Sequence, residues 1–277
     1  MLIPTVVYFA VWMLAPTVYG VVLSFTESSL AGRVDFVGVE NYVGLAADKQ
    51  FLGSLWTTAA YTLQVVGPCL ILAVIMGRLL TARTRLNSVF MTVFFIPFVL
   101  PGVAIGIVFV LLFQQYGLVN QIAGGDHAWL SDARTALIVV SAATIWSMVG
   151  YYTIIFAAGY QQIPPEITEA ATIDGAGAVR RFFSIELPLL RPTLIFALVT
   201  SVAAVLTDFG MPFIMTQGGP ADATLTLPLL IYNQSFMYGA VGKSSAMAVV
   251  LLIAAVALTI VIVRATRERV RRERVTR

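Results

Sequence analysis

The chain has 277 residues, 59% of them hydrophobic and 11% charged, with a mean hydropathy of +0.89. Water-soluble domains carry about 25% charged residues, so this chain could not cover a globular surface, and its composition is that of a membrane protein. One histidine (His127) and one cysteine (Cys69) exclude a zinc site, an iron–sulfur site and a disulfide framework, and no other metal or cofactor set stands out. The net charge of +3 does not point to nucleic acid, because the basic residues crowd into the tail from Arg264 to Arg277, directly after an apolar run. A basic tail beside a span marks the cytoplasmic side of a membrane.

A helix that crosses a bilayer needs about 20 mostly apolar residues. Residues 2–25, 55–80, 89–113, 136–158 and 193–214 meet that requirement, and 246–263 is shorter but uncharged. The expectation is an all-α, polytopic protein with six transmembrane helices in a single domain, 1–277. The first run lacks a basic leader, and Pro4 and Pro16 lie inside a stretch too long for a signal peptide. It reads as a retained span whose cytoplasmic leader is missing or very short. Residues 224–232 are apolar but too short to cross, which suggests a re-entrant or interfacial stretch.

An even number of spans puts both termini on one side. With the tail inside, Arg78, Arg83, Arg85, Arg180, Arg181, Arg191 and the tail arginines are inner, whereas Arg33, Lys49, Arg134 and Lys243 are outer. That asymmetry places both termini in the cytoplasm, with the tail near anionic lipid. Breakers recur inside the spans: Pro68 in the second, Pro97 and Pro101 around a turn of the third, Gly210 and Pro212 near the end of the fifth. Gly102 and Gly106 form a small-xxx-small pair suited to close helix packing.

The inner loop 161–191 is more than a connector. Pro164-Pro165, followed by Glu166, Ile167, Thr168, Glu169, Ala170 and Ala171, reads as a helix start, with proline and acids at the positive dipole end. Asp174-Gly175 should end it in a left-handed cap, and a second short helix should run from Ala176 to about Ile185 before Leu187-Pro188 returns the chain to the bilayer. Ile167, Ala170 and Ala171 share one face, as Phe182 and Ile185 should on the next helix, and cytosolic apolar faces need something to pack on.

Glu169-Ala170-Ala171, with Asp174-Gly175-Ala176, Phe182, Ile185, Leu187, Pro188 and Pro192 in register, resembles the EAA signature of permease subunits of ATP-binding-cassette importers. The departures are Val179, where an aromatic is common, and Glu186 before Leu187. The stretch from Phe36 to Tyr42, with Thr216-x-Gly218-Gly219-Pro220, resembles the maltose and glycerol-3-phosphate type, and the first permease of a heterodimeric pair in particular. Where that family often has Phe-Asp, this chain has Phe209-Gly210 with the acid earlier, at Asp208.

The resemblance implies a type I importer permease fold whose EAA loop is a coupling helix seated on an ATPase subunit, carried by Glu169, Ala170, Ala171, Asp174, Gly175, Ala176, Phe182, Ile185, Leu187 and Pro188. It also implies a second permease, two ATP-binding-cassette subunits and an extracytoplasmic solute-binding protein as partners, in a bacterial plasma membrane. Energy must then come from another polypeptide. Gly242-Lys243-Ser244 looks like the end of a phosphate loop, but Met237 stands where the first glycine belongs and the segment is outer.

Asp208 is the acid within a span, where an exposed carboxylate costs roughly 2.5–3.5 kcal/mol. It should therefore face protein or water, bonding either a substrate hydroxyl or gate, or a neighbouring helix. Gln64, Trp146, Tyr151 and Tyr152 are candidates for a polar path, since aromatic faces suit the C–H faces of sugars, although aromatics also form interfacial belts. The expected cargo is a carbohydrate. Glycerol-3-phosphate or a polyamine is the alternative within the same importer type, and an intramembrane enzyme would need paired acids, a Ser/His set or metal ligands at membrane depth.

The orientation has a direct test. Cysteines placed at Asp126 and Arg269 and treated with an impermeant reagent on intact cells should label at Asp126 alone. Labelling at both sites, or at Arg269 alone, contradicts both termini being inside.

Overall fold

The computed structural model describes residues 3–29, 32, 34–81 and 84–275, with side chains placed for these except Ile3 and residues 266–275. The expectations that rest on Leu2, Arg33, Arg83 and Arg277, and on the side chain of Arg269, lie outside those described residues.

Helix α1 covers residues 3–23, with a wide turn at Ala10–Leu14. Two three-residue strands follow, β1 (Thr26–Ser28) and β2 (Val34–Phe36), paired antiparallel with Glu27 opposite Asp35. They are a small non-helical interruption that the apolar pattern does not reveal. Helix α2 (Glu40–Ala47) leads into α3 (Lys49–Leu79), which Asp48 caps by accepting from the amides of Gln50 and Phe51 at 2.9 and 3.2 Å. The chain continues through α4 (Arg85–Val99), α5 (Gly102–Phe113), α6 (Leu118–Ala123) and α7 (Ala136–Tyr160). The inner loop holds α8 (Pro165–Ile173) and α9 (Ala178–Leu189). After it come α10 (Arg191–Leu206), α11 (Gly210–Thr216), α12 (Leu227–Tyr232) and α13 (Val241–Val275).

Five stretches are long and apolar enough to span: 4–23, 49–79, 102–123, 136–160 and 241–265. Helices α9 and α10, joined through a 70° bend at Leu190, make a sixth if counted as one span. Two expected spans differ from the reading of the sequence. Residues 89–113 form two helices, because Pro101 pushes Leu100 into an extended conformation (φ −70°, ψ 145°) that an α-helix cannot contain. Residues 193–214 break at Thr207–Phe209, where α10 ends and α11 begins. The stretch 224–232 is neither exposed nor flat on a surface: Leu227, Leu229 and Leu230 are buried, and the Leu227 amide donates to Thr58 Oγ1 at 2.7 Å. Protein thus supplies the partner that lipid could not.

The main core lies between α3 and α7, with Tyr61, Val65 and Ala73 meeting Val140, Ala143 and Phe156. Close approach is possible because of small residues. A Cβ on Gly77 would sit 2.7 Å from Phe156 Cβ and 3.0 Å from the Ala157 nitrogen, and one on Gly150 would collide with the Phe94 carbonyl of α4. Gly106 does the same between α5 and α11, where a Cβ would come within 2.7 Å of Ile214 Cγ2. A second core, under the N-terminal end of α3, joins Leu45 and Phe51 to Leu225, Leu227, Leu230 and Met247.

The motif residues Asn41 and Tyr42 brace this end of the bundle. Asn41 Nδ2 donates to the carbonyls of Ser24 and Thr26, both at 2.9 Å, and Tyr42 Oη bonds Ser24 Oγ at 2.6 Å.

Because the obstacle at Gly150 is backbone rather than a movable side chain, Gly150→Ala should cost about 1–3 kcal/mol. A lower half-denaturation temperature of the detergent-solubilised chain is the expected reading, whereas Gly124→Asn, in open space and left-handed (φ +71°), should be tolerated.

Candidate functional site

Two regions carry the candidate residues: the inner loop, and a cleft at the break between α10 and α11. In the loop, Pro165 and Glu166 open α8, and Asp174 and Gly175 close it. The Ala176 amide donates to Ala171 O at 2.9 Å and the Gly175 amide to Thr172 O at 3.1 Å, with Gly175 at φ +76°. This is the paired hydrogen-bond closure of a Schellman cap, for which glycine is the least strained residue.

Glu169, Ala170, Asp174 and Gly175 are exposed, Ala171 is buried, and Ala176, Phe182, Ile185, Leu187 and Pro188 are half-buried. Phe182 and Leu187 pack against the main core, so they do not offer a free face. The apolar side chains left exposed at the tip are Ile173 (86%), Val179 (72%) and Phe183 (62%). Glu169 lines a shallow cleft with Thr168, Thr172, Ile173 and Arg181.

Glu186, read from sequence only as a departure from the family pattern, is the buried anchor of this loop. It is 5% exposed, lies in the wide turn Phe182–Glu186 within α9, and accepts from Arg78 Nη2 and Arg181 Nε, both at 3.0 Å. Its second oxygen is 2.6 Å from Arg78 Nε. Arg181 also donates to Thr172 Oγ1 at 3.1 Å, tying α8 to α9, and the Arg78 guanidinium lies 5.3 Å above the Phe182 ring. The available signal was a carboxylate close behind Arg180 and Arg181; its second partner, 108 residues away, left none.

The cleft has a volume of about 490 Å³ and is walled by Phe98, Leu100, Thr144, Ser147, Met148, Asp208 and Met211, among others. Its described lining contains one carboxylate and no basic side chain. Asp208 Oδ1 accepts from the amides of Gly210 and Met211 at 2.9 and 3.4 Å, capping α11, while Oδ2 accepts from Tyr61 Oη at 2.6 Å. Since the Tyr61 proton goes to the carboxylate, Thr144 Oγ1, 2.6 Å from the same phenol oxygen, is the donor there. The carboxylate is thus held by α3, α7 and the start of α11.

Of the five path candidates, Asp208 alone lines this cleft. Gln64 accepts from Ser141 at 3.1 Å between α3 and α7. Tyr152 is buried and reaches Thr200 at 3.5 Å. Tyr151 stacks on Phe98, itself a cleft wall, at 4.5 Å, and Trp146 packs against Phe109 at 5.8 Å.

The Gly242-Lys243-Ser244 run is structural. A Cβ on Gly242 would collide with the Thr26 carbonyl of β1, and Ser244 receives a hydrogen bond from Ser235 at 2.6 Å. Lys243 pairs with Asp48 at 2.7 Å. Burial pushes the Asp48 carboxyl up, but the hydrogen bond to Lys243 and the Phe51 and Gln50 amides outweigh it and hold the group below its ordinary 3.8.

Residues 69–272 match the family described as the binding-protein-dependent transport system inner membrane component. The chain belongs to that family. It is 35% identical over 244 residues to the multiple sugar-binding transport system permease protein MsmF of Streptococcus mutans, covering 86% of this chain and 84% of that one. It is 30% identical over 275 residues to the sn-glycerol-3-phosphate transport system permease protein UgpA of Escherichia coli O157:H7, covering 98% and 92%. Its fold matches a chain of a bacterial alginate ABC transporter in complex with alginate pentasaccharide-bound periplasmic protein, with a TM-score of 0.85 at 18% identity, covering 97% and 93% of the two chains. These are importer permeases, and the type I permease fold accounts for the loop and the broken helices together.

Within this permease, Tyr61→Phe removes one of the donors to Asp208. Loss of a hydrogen bond to a half-buried charged group should cost about 1.5–3 kcal/mol, and the expected result is a lower denaturation temperature with unchanged membrane insertion.

Proposed function

We propose that this permease forms half of a translocation path for a carbohydrate handed over by an extracytoplasmic solute-binding protein. A second permease forms the other half, and two ATP-binding-cassette subunits on the cytoplasmic side hydrolyse the ATP. Both termini are cytoplasmic, in the plasma membrane of a bacterium. The observation that carries the reading is the inner loop: α8 and α9 present exposed Ile173, Val179 and Phe183 beside an exposed carboxylate, Glu169. Large exposed apolar side chains in water call for a partner, and Glu169 can pair with a basic group on it.

The cleft supports the cargo class. A single carboxylate already bonded to a phenol and two amides is a hydrogen-bond acceptor for hydroxyls and repels anions. A phosphate ester gains no cation here, and the α11 amides it would seek are taken by Asp208. A neutral polyhydroxylated solute fits better than glycerol-3-phosphate, and better than a polyamine, which would favour several free carboxylates.

Glu169→Ala and Gly175→Val test the loop. The valine adopts the left-handed conformation at a cost of roughly 1–2 kcal/mol, with no steric obstacle around it. Both variants should insert normally, yet lose ATPase subunits on purification or hydrolyse ATP without uptake in a reconstituted complex. Wild-type transport with full ATPase retention in both would refute the coupling role.

A further inference from the structure

Glu186 and Arg78 join the inner loop to α3 at a point where stability is a weak reason for an ion pair. A buried pair recovers little more than its desolvation cost, and apolar replacements often do as well. What such a pair does supply is position. Arg78 meets both oxygens of Glu186, donating from Nη2 to Oε1 at 3.0 Å and placing Nε 2.6 Å from Oε2, so the ion pair holds α9 close against the end of α3.

The same two structural arms meet again further into the membrane. Helix α3 carries Tyr61, and Asp208 lies two residues past the end of α10, where the two are bonded at 2.6 Å. Tyr61 and Arg78 stand about 25 Å apart along α3 at the helical rise. The result is a closed frame: α3 on one side, α9 and α10 on the other, with the Glu186–Arg78 pin at the loop and the Asp208–Tyr61 pin at the cleft. The weak corner of the frame is the 70° bend between α9 and α10 at Leu190. Pro68 interrupts α3, but its contacts with α7 at Tyr61–Thr144 and Gly77–Phe156, on both sides of the proline, keep it in line.

We infer that Glu186 is a positioning residue whose pin to Arg78 carries displacement of the cytoplasmic loop into α3, and so to the Tyr61–Asp208 contact in the cleft. With the pin in place, a push on the loop moves both arms together. Without it, the bend at Leu190 absorbs the push, and ATP hydrolysis proceeds while the cleft stays still. This rests on the coupling role proposed above and adds the route by which coupling reaches the path.

The test uses the complex purified with its second permease and ATPase subunits, in liposomes, in a Cys69→Ser background with Ser147→Cys on the cleft wall. The readout is the rate of maleimide labelling at that cysteine, with Mg-ATP and vanadate against no nucleotide. With Glu186 intact, nucleotide should change the rate about tenfold, a coupling of ordinary size. Glu186→Gln should abolish most of that change while the ATPase stays bound and hydrolyses ATP, and Glu186→Asp should restore it. If Glu186→Gln keeps the full nucleotide-dependent change, the linkage is wrong and the permease reading stands. If Glu186→Gln sheds the ATPase and Glu186→Asp does not recover it, Glu186 only holds the loop folded and the linkage is again wrong. An intact, ATP-hydrolysing complex with no nucleotide response even when Glu186 is present overturns the linkage and the coupling role together.

Discussion

Backbone-to-backbone packing of α3 on α7 is the constraint from which the rest of the molecule takes its positions. Lipid offers no hydrophobic drive for two helices to meet, so their contact depends on van der Waals closeness and on hydrogen bonds across the interface. Gly77, Ala73 and Ala143 give the closeness, and Tyr61–Thr144 and Gln64–Ser141 give the bonds. Once this pair is set, Arg78 is delivered to the inner loop and Tyr61 to the cleft. Helix α4 then crosses α7 at Gly150 with its carbonyl chain almost touching the glycine. None of these placements survives a wider separation.

The second constraint is that an interrupted helix inside a membrane must find partners for its loose backbone groups. The breaks at Leu100–Pro101 and at Thr207–Phe209 both contribute walls to the same cleft. At the first, the Pro101 carbonyl is taken up by the amides of Ala104 and Ile105. At the second, Asp208 accepts the first amides of α11 and so serves the fold while lining the cleft. An acid placed one residue before Phe209, rather than after it, is what lets the carboxylate reach those amides.

What could be read from the sequence was what depends on neighbours in the chain. The apolar runs, the start of α8 at Pro165, its left-handed end at Gly175 and the exclusion of a phosphate loop at Gly242-Lys243-Ser244 by Met237 all follow from residues within a few positions of each other. Breaks were harder: prolines marked the third span, but whether a helix bends or ends there depends on what receives its freed groups. Least legible were the pairs. Tyr61 and Asp208 are 147 residues apart and Arg78 and Glu186 are 108 apart, and no pattern along the chain announces such partners. Glu186 in particular looked like a flaw in a motif because one of its two counter-charges, Arg78, belongs to another helix. Of the path candidates, the cleft includes Asp208 and excludes the others, for aromatic and amide side chains on a helix can serve packing or a cavity equally well.

Helix α1 has no buried residue among its described side chains, 4–23, and it packs on α13. It is made long before that partner exists. During synthesis it must therefore persist as a solitary rod dissolved in lipid, which its uncharged, apolar circumference allows. Assembly of the bundle can begin with α3 and α7, while α1 meets α13 only once that later helix has been made. The hairpin of β1 and β2, bridged through Ser29 to Ala240 at the entrance of α13, then works as a late clasp. It joins α1 to α13 at the end of the bundle where α3 begins.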